Sequence, residues 1–304
     1  MKKILALLLA LCMMLALAAC GETEAPKTEE PQDAAEPETP AEPTEAEPTE
    51  PETPAEPAEP IEIVVFAAAS MIETLNELKT VYEAAHPGVT ILYNFDSSGT
   101  LKTQIEEGAT CDLFISAGQK QMNQLDISAS AEVNTDGLDF VQEGTRINLL
   151  ENKVVLVVPV GNPKGIENFD MLAELLEKGD VLMAMGGADV PVGQYTQKIL
   201  AWYGLDEAEL SAAGCISYGG NVKQVTTQVS EGSVDCGVVY CTDAFSEDLT
   251  VVDSATAEMC GQVIYPAAVM KNASHPAEAL EFLTFLQSEE AMAVFESVGF
   301  TPAP

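Results

Sequence analysis

Two stretches of this chain join a short apolar strand to an amphipathic helix through serine: Phe66-Ala67-Ala68-Ala69-Ser70 and Phe95-Asp96-Ser97-Ser98-Gly99-Thr100. A serine at such a junction offers a hydroxyl and a backbone N–H at the positive end of a helix. Two junctions facing one another make a site for a small anion. Few cations are present to hold one otherwise. The 304 residues carry 13 Lys and Arg against 49 Asp and Glu, a net charge of −36, with Arg146 the one arginine. An anion must therefore be held by dipoles. The same composition excludes nucleic acid and anionic lipid surfaces as partners, and it lacks the usual side chains of acid–base or phosphoryl-transfer enzymes. A hydrolase built on Ser70 with His86 or His275 would need a nucleophile elbow, and Gly-x-Ser-x-Gly is missing. Both histidines precede proline in turn-like segments and read as surface residues.

The elements that must position these serines follow from residue 61 onward, where strand and helix patterns alternate as in an α/β fold. Ile61 to Ala67 reads as a buried strand. Ser70-Met71-Ile72-Glu73 has the form of a capping box opening a helix to about Ala85, closed by His86-Pro87-Gly88. Val89 to Phe95 is the second strand, followed by a helix from Ser98 to about Glu107. Asp112 to Ser116 is a third strand, with a short helix after it. Lys153 to Val160 is a strongly apolar strand that begins a second series, and Val181 to Met185 is another. Pro191 starts a helix, and Asn221 caps one whose Val222, Val225 and Val229 share a face. Strands over Asp235 to Tyr240 and Gln262 to Met270 and a terminal helix over Pro276 to Gln287 complete the series. Ligands of open α/β sheets sit beyond the strand carboxyl ends. Both serine junctions, the Pro191 and Asn221 junctions and Tyr240 all lie at such ends.

Residues 1–20 read as an export signal: Lys2 and Lys3, an apolar run from Ile4 to Ala19, then Leu17-Ala18-Ala19-Cys20. That ending resembles a bacterial lipobox, which implies cleavage before Cys20 and lipid attachment to it, against an ordinary secretory signal with an incidental cysteine. Residues 21–60 hold fourteen acidic residues and one lysine among Pro, Thr and Ala, without periodicity. Such a segment cannot bury enough area to offset its ordering entropy. It reads as a disordered tether that could reach roughly 120 Å. The remaining cysteines, Cys111, Cys215, Cys236, Cys241 and Cys260, match no zinc or iron–sulfur spacing and read as buried apolar residues. Asn272-Ala273-Ser274 is an incidental sequon. About 240 residues is generous for one α/β core, so two lobes are expected: one from 61–148 plus 266–304, the other 149–265. No Gly- or Pro-rich linker separates them, so the chain should cross between lobes along strands.

Phe66-Ala67-Ala68-Ala69-Ser70, Ser97-Ser98-Gly99-Thr100-Leu101 and Cys111-Asp112-Leu113-Phe114-Ile115-Ser116-Ala117 resemble successive motifs of molybdate-binding proteins, the extracytoplasmic receptors of ABC-type molybdate importers. Asp189-Val190-Pro191-Val192-Gly193-Gln194-Tyr195, Asn221-Val222 and Val238-Val239-Tyr240-Cys241-Thr242-Asp243-Ala244 continue the likeness, which spans about residues 61–301. The resemblance implies a two-lobed α/β fold of the periplasmic-binding-protein type II class that closes on a tetrahedral dianion, molybdate or tungstate, in the cleft between lobes. It implies Ser70 and Ser98 as hydroxyl and N–H donors, Val192 and Val222 as backbone N–H donors, and Tyr240 as a phenol donor. It further implies a membrane permease with a cytoplasmic ATPase as partner, a monomer held at the membrane through Cys20, no enzyme activity, no cofactor, and molybdenum present only as its oxyanion. An all-donor pocket suits an anion without a proton. The alternatives are a receptor of the same fold for sulfate or phosphate and, remotely, a serine-nucleophile enzyme. Asp96 and Gly99 depart from the family pattern. Asp96 is expected to brace the loop outside the site, because a carboxylate aimed into the cleft would repel a dianion and could accept a proton from phosphate. Ser97 is expected to brace the same loop, or to replace Ser98 as a contact.

Overall fold

A computed structural model describes residues 60–304. The expected signal, the expected lipidation at Cys20 and almost all of the expected 21–60 tether lie outside the described residues. The described residues build two sheets. The first contains β1 (Ile61–Ala68), β2 (Val89–Asp96), β3 (Leu113–Ile115), β4 (Ile147–Asn152), then β10 (Val263–Val269) and β11 (Thr301–Pro302), in the order β11-β4-β10-β3-β1-β2. The second contains β5 (Val154–Val158), β6 (Met183–Gly186), β7 (Ile216–Gly219), β8 (Cys236–Tyr240) and β9 (Thr250–Ser254), in the order β7-β6-β8-β5-β9.

Each sheet is mixed, and each has the same parallel heart. β1 runs parallel to both β2 and β3, and β6 runs parallel to both β7 and β8. The remaining pairs are antiparallel. All five residues of β5 and all seven of β10 are buried, as strands covered on both faces require. The chain passes between the sheets twice. Lys153 alone separates β4 from β5, and residues 255–262, with the Ala257–Cys260 helix, separate β9 from β10. The first crossing is therefore nearly continuous strand. The expected boundaries at 148/149 and 265/266 fall inside β4 and β10, which pair with each other in the first sheet.

Most expected elements are present, with three differences of physical interest. Ser70 does not cap a helix. It sits in a 3-10 turn, Ala69–Met71, and the α-helix Ile72–Ala85 begins after Met71 with no side-chain cap. The Ser70 hydroxyl is instead engaged by Tyr265 and Glu73 by Lys223, so the capping-box pattern is locally valid and tertiary contacts override it. The helix Pro276–Phe285 is not terminal, since Ser288 caps a further one, Glu289–Ser297. The helices Phe169–Lys178 and Glu207–Ala212 and the strands β4, β7 and β9 go beyond the sequence reading. All five described cysteines are free, and four of them are buried.

Candidate functional site

The parallel strands deliver their carboxyl ends to one place. β1 leads to Ser70, β2 to Ser97 and Ser98, β3 to Ala117, β6 to the loop before Pro191, β7 to Asn221 and Val222, and β8 ends at Tyr240. Ala68, Ala69, Ser70, Asp96, Ser97, Ser98 and Ala117 of the first sheet face Val190, Pro191, Val192, Val222 and Tyr240 of the second. Together they line a small cavity of about 10 Å³. All five residues singled out for anion contact are among them. His86 and His275 are not; both are half-buried, and His86 stacks on Tyr82 with ring centroids 3.9 Å apart.

Three α-helices start at the cavity. The helix Ser98–Glu106 is capped by Ser97, whose hydroxyl accepts the Thr100 N–H at 3.1 Å, so Ser97 braces the loop. Val222–Ser230 is capped by Asn221, whose side chain accepts the Gln224 N–H. Pro191–Trp202 has proline at its first position, where its missing N–H costs nothing. This last helix starts hard against the end of β6. A Cβ on Gly193 would stand 2.2 Å from the Gly186 carbonyl oxygen, so only glycine permits that approach. First-turn N–H groups have no partner within their own helix. Those of Ser98, Val192 and Val222 donate to no backbone carbonyl and remain aimed at the cavity end of each helix.

The Ser98 hydroxyl is held as a donor. The Ser98 Oγ is fully buried and accepts the Ala117 N–H at 2.9 Å, which leaves its own proton free. The Ser70 Oγ lies 2.9 Å from the Tyr265 hydroxyl. The Tyr240 hydroxyl donates a long hydrogen bond of 3.4 Å to the Ala117 carbonyl across the two sheets. Burial pushes the phenols of Tyr240 and Tyr265 well above the ordinary tyrosine range, so both stay protonated.

Asp96 combines the two roles that the sequence separates. Its Oδ1 accepts the Ser97 N–H at 2.7 Å, bracing the loop, yet the residue lines the cavity and does not stand outside it. The same oxygen accepts from Asn221 Nδ2 at 3.2 Å, which ties the two sheets together at the cavity. A second tie joins Lys223 to Glu73 at 2.8 Å. Beneath it lies Asp243, fully buried, with Lys223 Nζ 3.4 Å from its Oδ1 but no hydrogen bond to either oxygen. Gly99 meets the Asp189 backbone so closely that a Cβ there would stand 2.2 Å from the Asp189 carbonyl oxygen. The two halves of the site are thus in contact.

Sequence reasoning missed Ala117, Asn152 and Tyr265. Ala117 lies at the carboxyl end of β3, and the strand-end rule would have found it. Asn152 and Tyr265 support the site from behind, and neither the spacing nor the type of either residue marks it.

Comparison with known proteins gives a consistent picture. Residues 63–301 match the family model described as bacterial extracellular solute-binding protein. The chain is 37% identical over 243 residues to the Bacillus subtilis (strain 168) protein named "Putative ABC transporter substrate-binding lipoprotein YvgL", covering 79% of this chain and 86% of that one. It is 32% identical over 239 residues to the Mycobacterium tuberculosis molybdate-binding protein ModA, covering 78% and 84%. Among solved structures, the Azotobacter vinelandii periplasmic molybdate-binding protein superposes with a TM-score of 0.67 at 22% identity, covering 80% of this chain and all of that one.

Proposed function

The chain belongs to the bacterial extracellular solute-binding protein family and serves an ABC transporter, and from that premise we propose that it captures molybdate or tungstate in this cavity. One observation carries the proposal: five donor residues, taken from five separate strand-end junctions on two sheets, line one cavity sized for a small ion. Ser70 and Ser98 supply hydroxyls, Val192 and Val222 supply backbone N–H groups at helix starts, and Tyr240 supplies a phenol. The likeness to the molybdate-binding protein of Mycobacterium tuberculosis supports the choice of oxyanion.

The mechanism is closure. A tetrahedral dianion offers lone pairs in every direction, so it accepts from both halves of the site at once and stabilises the closed state over the open one. The two lobes hinge at Lys153 and at residues 255–262, where the chain crosses. Charge-assisted hydrogen bonds from neutral donors are strong once water is excluded. Release then requires opening against a membrane permease that a cytoplasmic ATPase drives. Cys20 carries the lipid that holds the monomer at the membrane. The protein catalyses no reaction and uses no cofactor; molybdenum enters only as its oxyanion.

A phosphate or sulfate receptor is the reading to test against. Asp96 is what favours phosphate: its Oδ1 accepts from Ser97 and Asn221, which leaves Oδ2 as the acceptor for a ligand proton. Thermal-shift and calorimetric titration of the chain with molybdate, tungstate, sulfate and phosphate decides. Stabilisation that grows with molybdate or tungstate concentration is expected; a response to phosphate or sulfate alone would overturn the choice of ligand.

A further inference from the structure

Behind the cavity a chain of hydrogen bonds runs from Asn152 through Tyr265 to Ser70. Asn152 begins it. Its Oδ1 accepts the Lys153 N–H at 2.8 Å, which fixes the amide's orientation. Its Nδ2 therefore donates, to Thr242 Oγ1 at 3.0 Å and to the Tyr265 hydroxyl at 3.2 Å. Tyr265 is fully buried, and the other hydrogen-bond partner of its hydroxyl is Ser70 Oγ at 2.9 Å. A serine that donated to Tyr265 would leave the phenol proton buried with no acceptor within 3.5 Å, the costly arrangement. Tyr265 must donate to Ser70. The Ser70 proton cannot then be spent on Tyr265 and is left for the cavity. Ser98 is held the same way by the Ala117 N–H.

We propose that Tyr265, oriented by Asn152, directs the Ser70 hydroxyl proton into the cavity and so makes the site select oxyanions that carry no proton. The inference rests on reading the cavity as an oxyanion site. Tyr265 does not line the cavity; it is a positioning residue that acts through Ser70. Donation into Ser70 also polarises its O–H and strengthens it as a donor. A ligand that brings its own proton to Ser70 meets a second proton there.

Two substitutions separate direction from structure. Tyr265→Phe keeps the ring and removes the donor. Asn152→Asp keeps the shape but puts an acceptor where the amide donated. The Tyr265 proton then turns to the carboxylate, and Ser70 must donate backwards and present lone pairs to the cavity. The full chain and both variants are titrated calorimetrically with molybdate and with phosphate at mildly alkaline pH, where phosphate is a dianion that keeps one proton. Thermal denaturation confirms folding, and Ser70→Ala serves as the control for the site. The added charge of Asn152→Asp weakens both dianions alike, so the molybdate-to-phosphate ratio is the readout. Each variant is expected to lose about tenfold in molybdate affinity and to narrow that ratio by about tenfold or more. If Tyr265→Phe fails to fold, Asn152→Asp carries the test. Folded variants that keep the wild-type ratio, while Ser70→Ala loses affinity, would overturn the relay and leave the site standing. A wild-type chain that binds neither molybdate nor tungstate would overturn the site and the relay together.

Discussion

Gly99 gives the sharpest test of closure, because at this position fold stability and ligand affinity should move in opposite directions. It lies in the first turn of the Ser98–Glu106 helix with an ordinary helical backbone, so alanine fits the local conformation. Alanine in a helix is favoured over glycine by up to about 1 kcal/mol. Across the cleft, however, its Cβ would stand 2.2 Å from the Asp189 carbonyl oxygen and 2.8 Å from the Asp189 Cβ, where contacts under 3.0 Å essentially never occur. The halves must recoil by about 0.8 Å. A hydrogen bond of about 2.9 Å that spans the cleft then stretches to about 3.7 Å, beyond useful range. Val192, Val222 and Tyr240 supply the donors from that side. Losing one charge-assisted bond costs about 1.5–3 kcal/mol, and partial relaxation of the clash brings a similar sum. Gly99→Ala should therefore bind the oxyanion about ten- to a hundredfold more weakly, while the ligand-free protein melts at the wild-type temperature or slightly above it. Calorimetry and thermal denaturation on the same samples read both. Wild-type affinity in Gly99→Ala would refute the claim that binding requires this closed contact.

Three further outcomes follow from the same geometry. Ser98→Ala should weaken oxyanion binding about tenfold or more in calorimetry, and it should cost about 1–3 kcal/mol of stability because the buried Ala117 N–H loses its acceptor; unchanged affinity would remove Ser98 from the site. Burial pushes the Asp243 carboxyl up from 3.8 to about 7 against the pull of Lys223. A carboxyl raised on folding stabilises the protein below its unfolded pKa and loses that contribution as pH rises through the folded one. Urea midpoints of the wild type should thus carry a loss between about pH 4 and 7 that Asp243→Asn abolishes; an equal slope in both would refute the assignment. The five free cysteines predict that a reducing agent leaves the denaturation midpoint unchanged, and a drop would reveal a disulfide.

The strand-end junctions were legible in the sequence because each combines two independent local signals, an apolar run and a cap or helix-start residue. Asn221 and Pro191 were found that way, and both stand where expected. Val192 and Val222 were not legible in that sense. Their contribution is a main-chain N–H, which leaves no trace in residue type, and only the family resemblance pointed to them. Ser70 shows the opposite failure. Its capping-box pattern is a true local preference, but a tyrosine 195 positions away claims the hydroxyl. Asp96 was legible as a loop brace from its place beside Ser97, whereas its bond to Asn221 depends on how two sheets meet. Information carried by long-range hydrogen bonds is absent from local pattern.

The choice of neutral donors in so acidic a chain has a physical rationale. Charges on the distant surface are screened beyond about 8 Å at physiological ionic strength, so a dianion entering the cleft responds to what lies within the cavity. A lysine or arginine there would attract every anion alike, protonated or not. Helix-start N–H groups and oriented hydroxyls do something a point charge cannot: each demands a lone pair in one direction. Ser98, fed by Ala117, and Ser70, fed by Tyr265, each have a lone pair already occupied from behind. The site therefore discriminates by counting acceptors, and it can do so only when both halves are in contact. Selectivity and closure are then one event, since the donors that test the ligand from the second sheet reach it only in the state that Gly99 permits.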